Sequence, residues 1–407
     1  MEISTEIPKE PSNPPNSNKR NKTLFIVSIC ILFLGLSYLS YWYFYGRIHE
    51  YTNDAYVDGN TITVNATVPG IITKIYVQDT DYVLKGTPLI ELDTTEYEIE
   101  LERCKETLAD KVRDVARLFS EAALQQAEIE NKKATFIKYT EDYQRRVELV
   151  KSGSVSKEDF DHSVCDMAAA YAALISTEQA FFGTMAQIDN TTIESHPKVD
   201  IAKQQLKKAW VELKRCTIYA PTDGLVAQKS AQVGKWTGTT HSLLSIVPLD
   251  QMWITANFKE TQLARMRVGQ AVSVKSDIYG SSVKYQGTVT GVAGGTGSAF
   301  SIIPAQNATG NWIKIVQRVP VRIDLPTDEL KKYPLRIGLS MFATVNTKKT
   351  KGAMTPIART DDTPRFYTGI FDQDEEGVDQ VIEDIILSNM SSYSMELEDD
   401  DESDSDS

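Results

Sequence analysis

Three kinds of hydrophobic pattern follow one another along the chain. Leu24 to Tyr45 (LFIVSICILFLGLSYLSYWYFY) is apolar and uncharged over about 22 residues, enough to cross ~30 Å of hydrocarbon at ~1.5 Å rise per residue. From Tyr56 to Asp93 the pattern becomes short and β-like. Runs at Ile71-Ile72, Ile75-Tyr76-Val77, Tyr82-Val83-Leu84 and Leu89-Ile90 are separated by turns at Pro69-Gly70, Asp79-Thr80-Asp81 and Lys85-Gly86. Cys216 to Pro248 repeats that order of turns and strands. Two such halves can pair into one small sandwich.

About 120 residues of helical sequence lie between the halves. In the first arm Leu101, Leu108, Val115, Ala122, Ile129, Phe136, Tyr143 and Val150 recur every seven residues. A strict heptad predicts a left-handed coiled coil. A second column is patchier: Val112, Phe119 and Val147 fit it, Gln126 and Lys133 do not. In the return arm Phe160, Met167, Leu174, Phe181 and Ile188 form the column, supported by Val164, Tyr171 and Met185. Asn190 to Pro197 predicts a break, since proline removes a helical hydrogen bond. The pattern then resumes at Val199, Ala202, Leu206, Ala209 and Leu213.

The arms hold about 58 residues (94–151) and about 60 (156–215), joined by Lys151-Ser152-Gly153-Ser154. Equal arms and a short turn predict an antiparallel hairpin roughly 85–90 Å long. Ser156 is placed to cap the return helix, with Asp159 at its third position. Folding the arms about residue 153 sets Cys104 near 203 and Cys165 near 142. No two cysteines then face each other, so no intrachain disulfide is expected.

Residues 249–350 read as a compact β domain. Its strands are expected at Trp253–Asn257, Ala271–Lys275, Val283–Val292, Ile313–Ile323 and Met341–Thr347. A short helix at Thr261–Met266 would close a small barrel.

The net charge of −13 changes this picture only at one end. Residues 353–407 hold 17 Asp+Glu and 2 Arg, a net of −15, which leaves 41 basic and 39 acidic residues, or +2, for the rest. A near-neutral body argues against a nucleic-acid surface. The end of the tail, ELEDDDESDSDS (396–407), is expected to be disordered, although Val381, Ile382, Ile385 and Ile386 allow a brief helix.

Candidate chemistry is sparse. Cys30, Cys104, Cys165 and Cys216 make no C-x-x-C, and His49, His162, His196 and His241 are scattered, so neither a zinc site nor a nucleophile–base pair is expected. There is no G-x-x-x-x-G-K-[ST] loop, and Gly294-Gly295-Thr296-Gly297 lacks phosphate-loop spacing. Glu91, Asp93, Glu96, Glu98, Glu100 and Glu102 crowd the hairpin base, where acidic groups suit a helix N-terminus. They read as structural. No cofactor, metal or catalytic residue is expected.

Lys19, Arg20 and Lys22 precede the apolar stretch and only Arg47 follows closely, which puts the N-terminus in the cytoplasm and the bulk beyond the membrane. Tyr41 to Tyr45 suits an aromatic belt. A cleaved signal peptide is the competing reading, but the stretch is long and bulky aromatics stand where cleavage would fall. Lipidation at Cys30 is weaker, with only five apolar residues before it. A cytoplasmic helix bundle would show the same heptads, without the anchor and the divided β halves.

Anchor, divided sandwich and inserted hairpin together resemble the HlyD-family membrane fusion proteins, the periplasmic adaptors of Gram-negative export pumps. At the turn, Arg145, Leu149 and Ser156 match the Arg–Leu–Ser spacing of adaptors that dock on TolC-type channels. ANFKETQ (256–262), DIYG (277–280), GTGSAFS (295–301), PAQNATGNWIKIVQR (304–318), PVRI (320–323) and YPLRIGLS (333–340) resemble the EmrA branch. The resemblance covers about residues 19–350 and leaves out the acidic tail.

The resemblance implies an α+β fold: an N-terminal transmembrane helix, a lipoyl-like β sandwich split by a long antiparallel α-helical coiled-coil hairpin, then a small β-barrel. The expected divisions are a disordered cytoplasmic N-terminus (1–23), the transmembrane helix (24–46), the first lipoyl-like half (47–93), the hairpin (94–215), the second half (216–248), the barrel (249–350) and a mostly disordered acidic tail (351–407). Carrier domains of this kind hold a modified lysine at the junction between halves. Here Leu92-Asp93-Thr94-Thr95-Glu96 stands there and no lysine appears until Lys105, which argues against a swinging-arm enzyme.

The implied partners are an inner-membrane, proton-driven major-facilitator transporter, a TolC-like outer-membrane channel, and further copies of the chain in a trimer-to-hexamer ring. The implied cargo is hydrophobic toxins, and direct contact between drug and adaptor is left open. An adaptor of an ATP-driven polypeptide secretion system and a non-transport envelope scaffold are the alternatives.

Overall fold

A computed structural model describes residues 17–300, 314–356, 358 and 360–401. The expected disorder of residues 1–16, the end of the acidic tail at 402–407, and most of PAQNATGNWIKIVQR lie outside the described residues. The described residues divide into two compact units, one from 17–62 with 247–365, the other from 63–246 with the C-terminal segment from 366.

The first unit begins with α1 (Ser17–Tyr41), which runs into a π-helical turn at Trp42–Gly46, so residues 17–23, expected to be disordered, are instead the first turns of the helix. Asn21–Gly46 is long and apolar enough to cross a membrane. Arg47 and Ile48 then lead directly into β1 (His49–Gly59). This strand corrects the sequence reading, which gave residues 47–93 wholly to the first lipoyl-like half. β1 instead belongs to a closed six-stranded barrel, between β10 (Met252–Lys259) and β14 (Ser340–Asn346). Its register runs His49↔Asn346 on one side and Gly59↔Met252 on the other. The other barrel strands are β11 (Ala271–Ser276), β12 (Lys284–Val292) and β13 (Arg318–Asp324), and the five strands expected at 253–347 need this sixth one to close.

Period-two alternation sends Ile254, Ala256 and Phe258, Val272 and Val274, and Ala343 and Val345 into the barrel core. Gly287 is required there: a Cβ would meet Ile323 Cγ2 at 2.6 Å. The expected short helix is a 3-10 turn at Glu260–Arg265, and α5 (Thr327–Lys332) buries Leu330 in the same core.

The second unit contains the sandwich. One sheet orders β2 (Ile62–Asn65), β9 (Ser242–Val247), β7 (Gly224–Ala227) and β4 (Tyr82–Val83). The other orders β6 (Thr217–Tyr219), β5 (Pro88–Leu92), β3 (Gly70–Ile75) and β8 (Trp236–Thr237). Both sheets draw on both sequence halves, and Leu89, Ile90, Val226, Leu244 and Ile246 fill the core. The hairpin leaves this sandwich between β5 and β6.

α2 (Thr95–Lys151) is the outgoing arm, and α3 (Lys157–Ile188) and α4 (Pro197–Lys214) form the return. His196 bridges the break: Nδ1 accepts from Lys198 N at 3.2 Å and Nε2 donates to the Gln187 carbonyl at 3.1 Å. Leu101, Leu108, Val115 and Ala122 are buried, whereas Ile129, Phe136, Tyr143 and Val150 are half-buried. Two helices alone shield a seam residue on one side only, and near the base a third helix adds cover.

That third helix is α6 (Val378–Asp401), which corrects the expected mostly disordered tail. Val378, Ile382 and Ile386 are buried with Leu108, Val112 and Leu206 in one core. Lys207 Nζ meets Asp379 at 2.6 Å, Arg215 Nε meets Asp374 at 2.8 Å, and Arg113 donates to Asn389 at 2.8 Å. The brief helix that Val381, Ile382, Ile385 and Ile386 allow is thus longer than expected and has a partner at the hairpin base.

Candidate functional site: the hairpin tip

The tip is built from the end of α2, the turn Ser152–Ser156 and the start of α3. Gly153 adopts φ +71°, a conformation that favours glycine, and its N–H closes onto the Val150 carbonyl at 3.0 Å. Ser154 N and Ser152 Oγ both donate to the Leu149 carbonyl, at 3.0 and 2.8 Å. Ser156 has extended backbone and its Oγ accepts from Asp159 N at 3.1 Å, which starts α3 as a capping residue should. That hydroxyl also lies 2.6 Å from Asp159 Oδ2.

Arg145, Leu149 and Ser156 all lie at this tip, and all three are exposed. Arg145 and Leu149 are one helical turn apart, so they share a face. Arg145 is held only loosely, Nη1 standing 3.8 Å from Asp142 Oδ1. Its planar fork of donors is open to carboxylate or carbonyl groups. Leu149 presents its side chain 38% exposed.

Sequence reading passed over Arg146. Its Nη2 lies 3.3 Å from Asp142 Oδ2, and its Nη1 donates to the Asp159 carbonyl at 2.8 Å. One guanidinium therefore ties both arms together directly behind the turn. Tyr143 and Phe160 pack beneath it, ring centroids 5.8 Å apart. The signal available was two adjacent arginines, of which only one can sit on the seam side of a helix.

The second seam column of the return arm also differs from expectation. Val164 and Tyr171 are exposed, while Ser163, Ala170 and Thr184 are buried. Small side chains at this seven-residue spacing fit a close approach to α2. Ser163 Oγ and Thr184 Oγ1 are satisfied within the helix, by the carbonyls of Phe160 at 2.7 Å and Ala180 at 3.4 Å.

The acidic residues at the hairpin base are tied into local structure. Asp93 accepts from Thr95 N and Oγ1 at 3.1 and 2.7 Å, and these bonds hold its carboxyl below the usual range. Glu91 accepts from Tyr76 Oη at 2.6 Å and from Lys74 Nζ at 3.1 Å, with the same consequence. Glu100 is gripped by Arg103 at 2.8 and 2.6 Å and is likewise lowered. Carboxyls held in the charged form suit anchoring, whereas a general acid needs the opposite shift. Among the described residues no group of three or more His, Cys, Asp or Glu is placed to hold a metal ion.

A hairpin growing out of a two-sheet sandwich, in a chain that also carries a barrel and an N-terminal apolar helix, is the composition of an adaptor. Comparison with known proteins gives the family. Residues 95–216 match the model of the EmrA alpha-helical hairpin domain, and residues 251–346 that of the AAEA-like beta-barrel domain. The chain is 43% identical over 346 residues to the probable multidrug resistance protein EmrK of Escherichia coli K12, covering 85% of this chain and 89% of the relative. It is 40% identical to the multidrug export protein EmrA of the same strain, over 86% of this chain and 89% of that one. The EmrA of Haemophilus influenzae is 38% identical, with 95% of this chain and 99% of the relative covered. The chain belongs to the EmrA-type membrane fusion proteins of the HlyD family, the periplasmic adaptors of efflux pumps.

Proposed function

We propose that this protein joins an inner-membrane, proton-driven major-facilitator transporter to a TolC-like outer-membrane channel for export of hydrophobic toxins. α1 anchors it as a single-pass protein, N-terminus in the cytoplasm and body in the periplasm. The barrel and anchor engage the transporter, and the tip docks on the channel through Arg145, Leu149 and Ser156. Several copies, three to six, ring the conduit. The chain performs no catalysis, and the partner supplies the energy. Direct contact with the exported compound is compatible with this arrangement.

The observation that carries the reading is the tip itself. A 57-residue helix places it roughly 85 Å from the sandwich, and there the chain presents an exposed, loosely paired guanidinium fork beside an exposed leucine. An aqueous gap between two membranes is where such reach has a use. The relatives named above, two of them called multidrug export proteins, support efflux as the purpose.

The test is a gentle-detergent pull-down of the tagged protein from its native membranes, with partners identified by mass spectrometry. A major-facilitator transporter and a TolC-like channel are expected. Recovery of an ATP-binding-cassette transporter would replace drug efflux with polypeptide export. Recovery of neither, with unchanged drug sensitivity on deletion, would favour an envelope scaffold.

A further inference from the structure

We propose that the α1-proximal rim of the barrel is a binding surface for anionic phospholipid headgroups; the inference rests on the reading that α1 spans a membrane. The tether between helix and barrel is short. The apolar span ends at Gly46 and β1 begins at His49. Two residues, Arg47 and Ile48, separate bilayer from barrel, a reach of at most ~7 Å. Both are pinned. Arg265 Nη1 donates to the Arg47 carbonyl at 2.6 Å. Thr347 donates to the Ile48 carbonyl through N at 2.8 Å and Oγ1 at 3.0 Å. The rim cannot swing away from the surface on which the helix emerges.

The strand register defines what stands on that rim. His49 pairs with Asn346, Val272 with Val345, and Lys259 with Arg318. The segments following β10 and β14 and the one preceding β11 therefore all open at the α1 end. They carry Arg265, Arg267, Lys348, Lys349 and Lys351, which join Arg47. Among the described residues none of these six forms an ion pair with a carboxylate. Of the carboxylates at this end, Glu50 accepts from Gln262 at 3.2 Å, Asp54 is paired with Arg318 at 3.1 Å, and Glu260 is exposed. The rim is also preorganised. Buried Gln270 donates through Nε2 to the carbonyls of Arg265 and Lys349, at 2.8 and 2.7 Å, locking the two basic segments side by side. Phe300 and Ile315, in the segments that follow β12 and precede β13, add exposed apolar side chains at the same end.

A lipid surface fits this chemistry better than a protein surface does. Arg47, Lys348, Lys349 and Lys351 are exposed, beside Arg265 and Arg267, whose Nη1 atoms donate to backbone carbonyls, and cations spread around a rim in this way match a diffuse layer of phosphates. Protein interfaces deplete lysine at their cores. Basic residues close to an anionic bilayer each add attraction that decays within a Debye length. The arrangement also escapes the positive-inside rule. That rule counts residues near a membrane span in sequence, whereas five of these six cations arrive from positions 265–351.

The test uses the full chain in detergent micelles with equal phosphatidylglycerol and phosphatidylcholine, retained lipids being counted by native mass spectrometry. Wild type should retain phosphatidylglycerol preferentially, and high salt should erase the preference. The exposed-site variant K348E/K349E/K351E should lower the preference roughly fivefold or more. The charge-matched control K275E/K284E/K331E, at the opposite end of the barrel, should keep it. A rim variant that keeps wild-type preference, or a control that loses as much, overturns the proposal. So does a rim variant with unchanged lipid preference but lost co-purification with a transporter, which would assign the surface to a protein. Full chain reconstituted in phosphatidylcholine alone should resist alkaline carbonate; release would sink the anchor reading and the proposal with it, whereas firm insertion without lipid preference sinks the proposal alone.

Discussion

Arg146 crosses the hairpin turn to the Asp159 carbonyl at 2.8 Å, while its neighbour Arg145 makes only a 3.8 Å approach to Asp142. The two arginines therefore have separable duties. Arg145→Asp should abolish export while leaving folding and membrane insertion intact. Normal drug resistance in that variant would reject the docking assignment. Arg146→Ala should instead loosen the tip, at a cost of roughly 1.5–3 kcal/mol for a hydrogen bond to a charged group. Faster amide exchange at residues 152–159 would report it.

Val115 is fully buried, so Val115→Asp should destabilise the hairpin base by several kcal/mol, on the order of 3 or more, by burying an unpaired charge. Unchanged thermal melting would remove the coiled-coil account of that region.

The tail helix makes its own prediction. Ile382→Asp should release α6 from α2 and α4, because Ile382 is buried among their side chains. Limited proteolysis should then cut between residues 366 and 378 far faster than in wild type. Equal cutting rates would show that the helix is not docked in solution.

The cysteines divide by burial. Cys165 is exposed, and Cys104 and Cys216 are buried. In the native protein an aqueous thiol reagent should modify Cys165 quickly and the buried pair only on unfolding. Burial pushes the Cys216 thiol up to about 11, against an unfolded value of roughly 8.5. The folded state thus favours the neutral thiol. Its contribution to stability is complete below the unfolded value and is lost as pH rises from there through 11. Cys216→Ala should flatten the alkaline part of a pH–melting curve; an unchanged slope would deny the thiol that role.

How much was legible in the sequence follows from which signals are periodic. The apolar helix at 24–45, the heptad column from Leu101 and most strands of 252–346 repeat at helix or strand spacing and could be placed directly, although the strand read from Ile313 begins at Arg318. β1 escaped because its buried positions, Thr52, Ala55 and Val57, are small and interrupted by a bulge, and even clear alternation does not say which edge a strand joins. Ser163, Ala170 and Thr184 escaped because a seam of small, partly polar residues looks like surface until a partner helix covers it. Arg146 escaped because its role depends on a carbonyl across the turn, and a backbone acceptor leaves no mark on residue type. The tail helix was legible as a brief one at Val381, Ile382, Ile385 and Ile386, but its docking was not, since residue type does not say that Leu108 and Val112 are the partners.

The pairing of β1 with β14 has a further consequence, for the order of assembly. Ile48 and Thr347, hydrogen-bonded to each other, are 299 positions apart. A chain made from its N-terminus delivers β1 first and its second neighbour last. Sandwich and hairpin can complete themselves in the interval, from contacts already present. Until residues 340–346 arrive, β1 carries an unpaired edge open to foreign strands. Barrel closure is thus the slow, long-range step of maturation, and a chain cut short before β14 would hold a finished hairpin beside an open sheet.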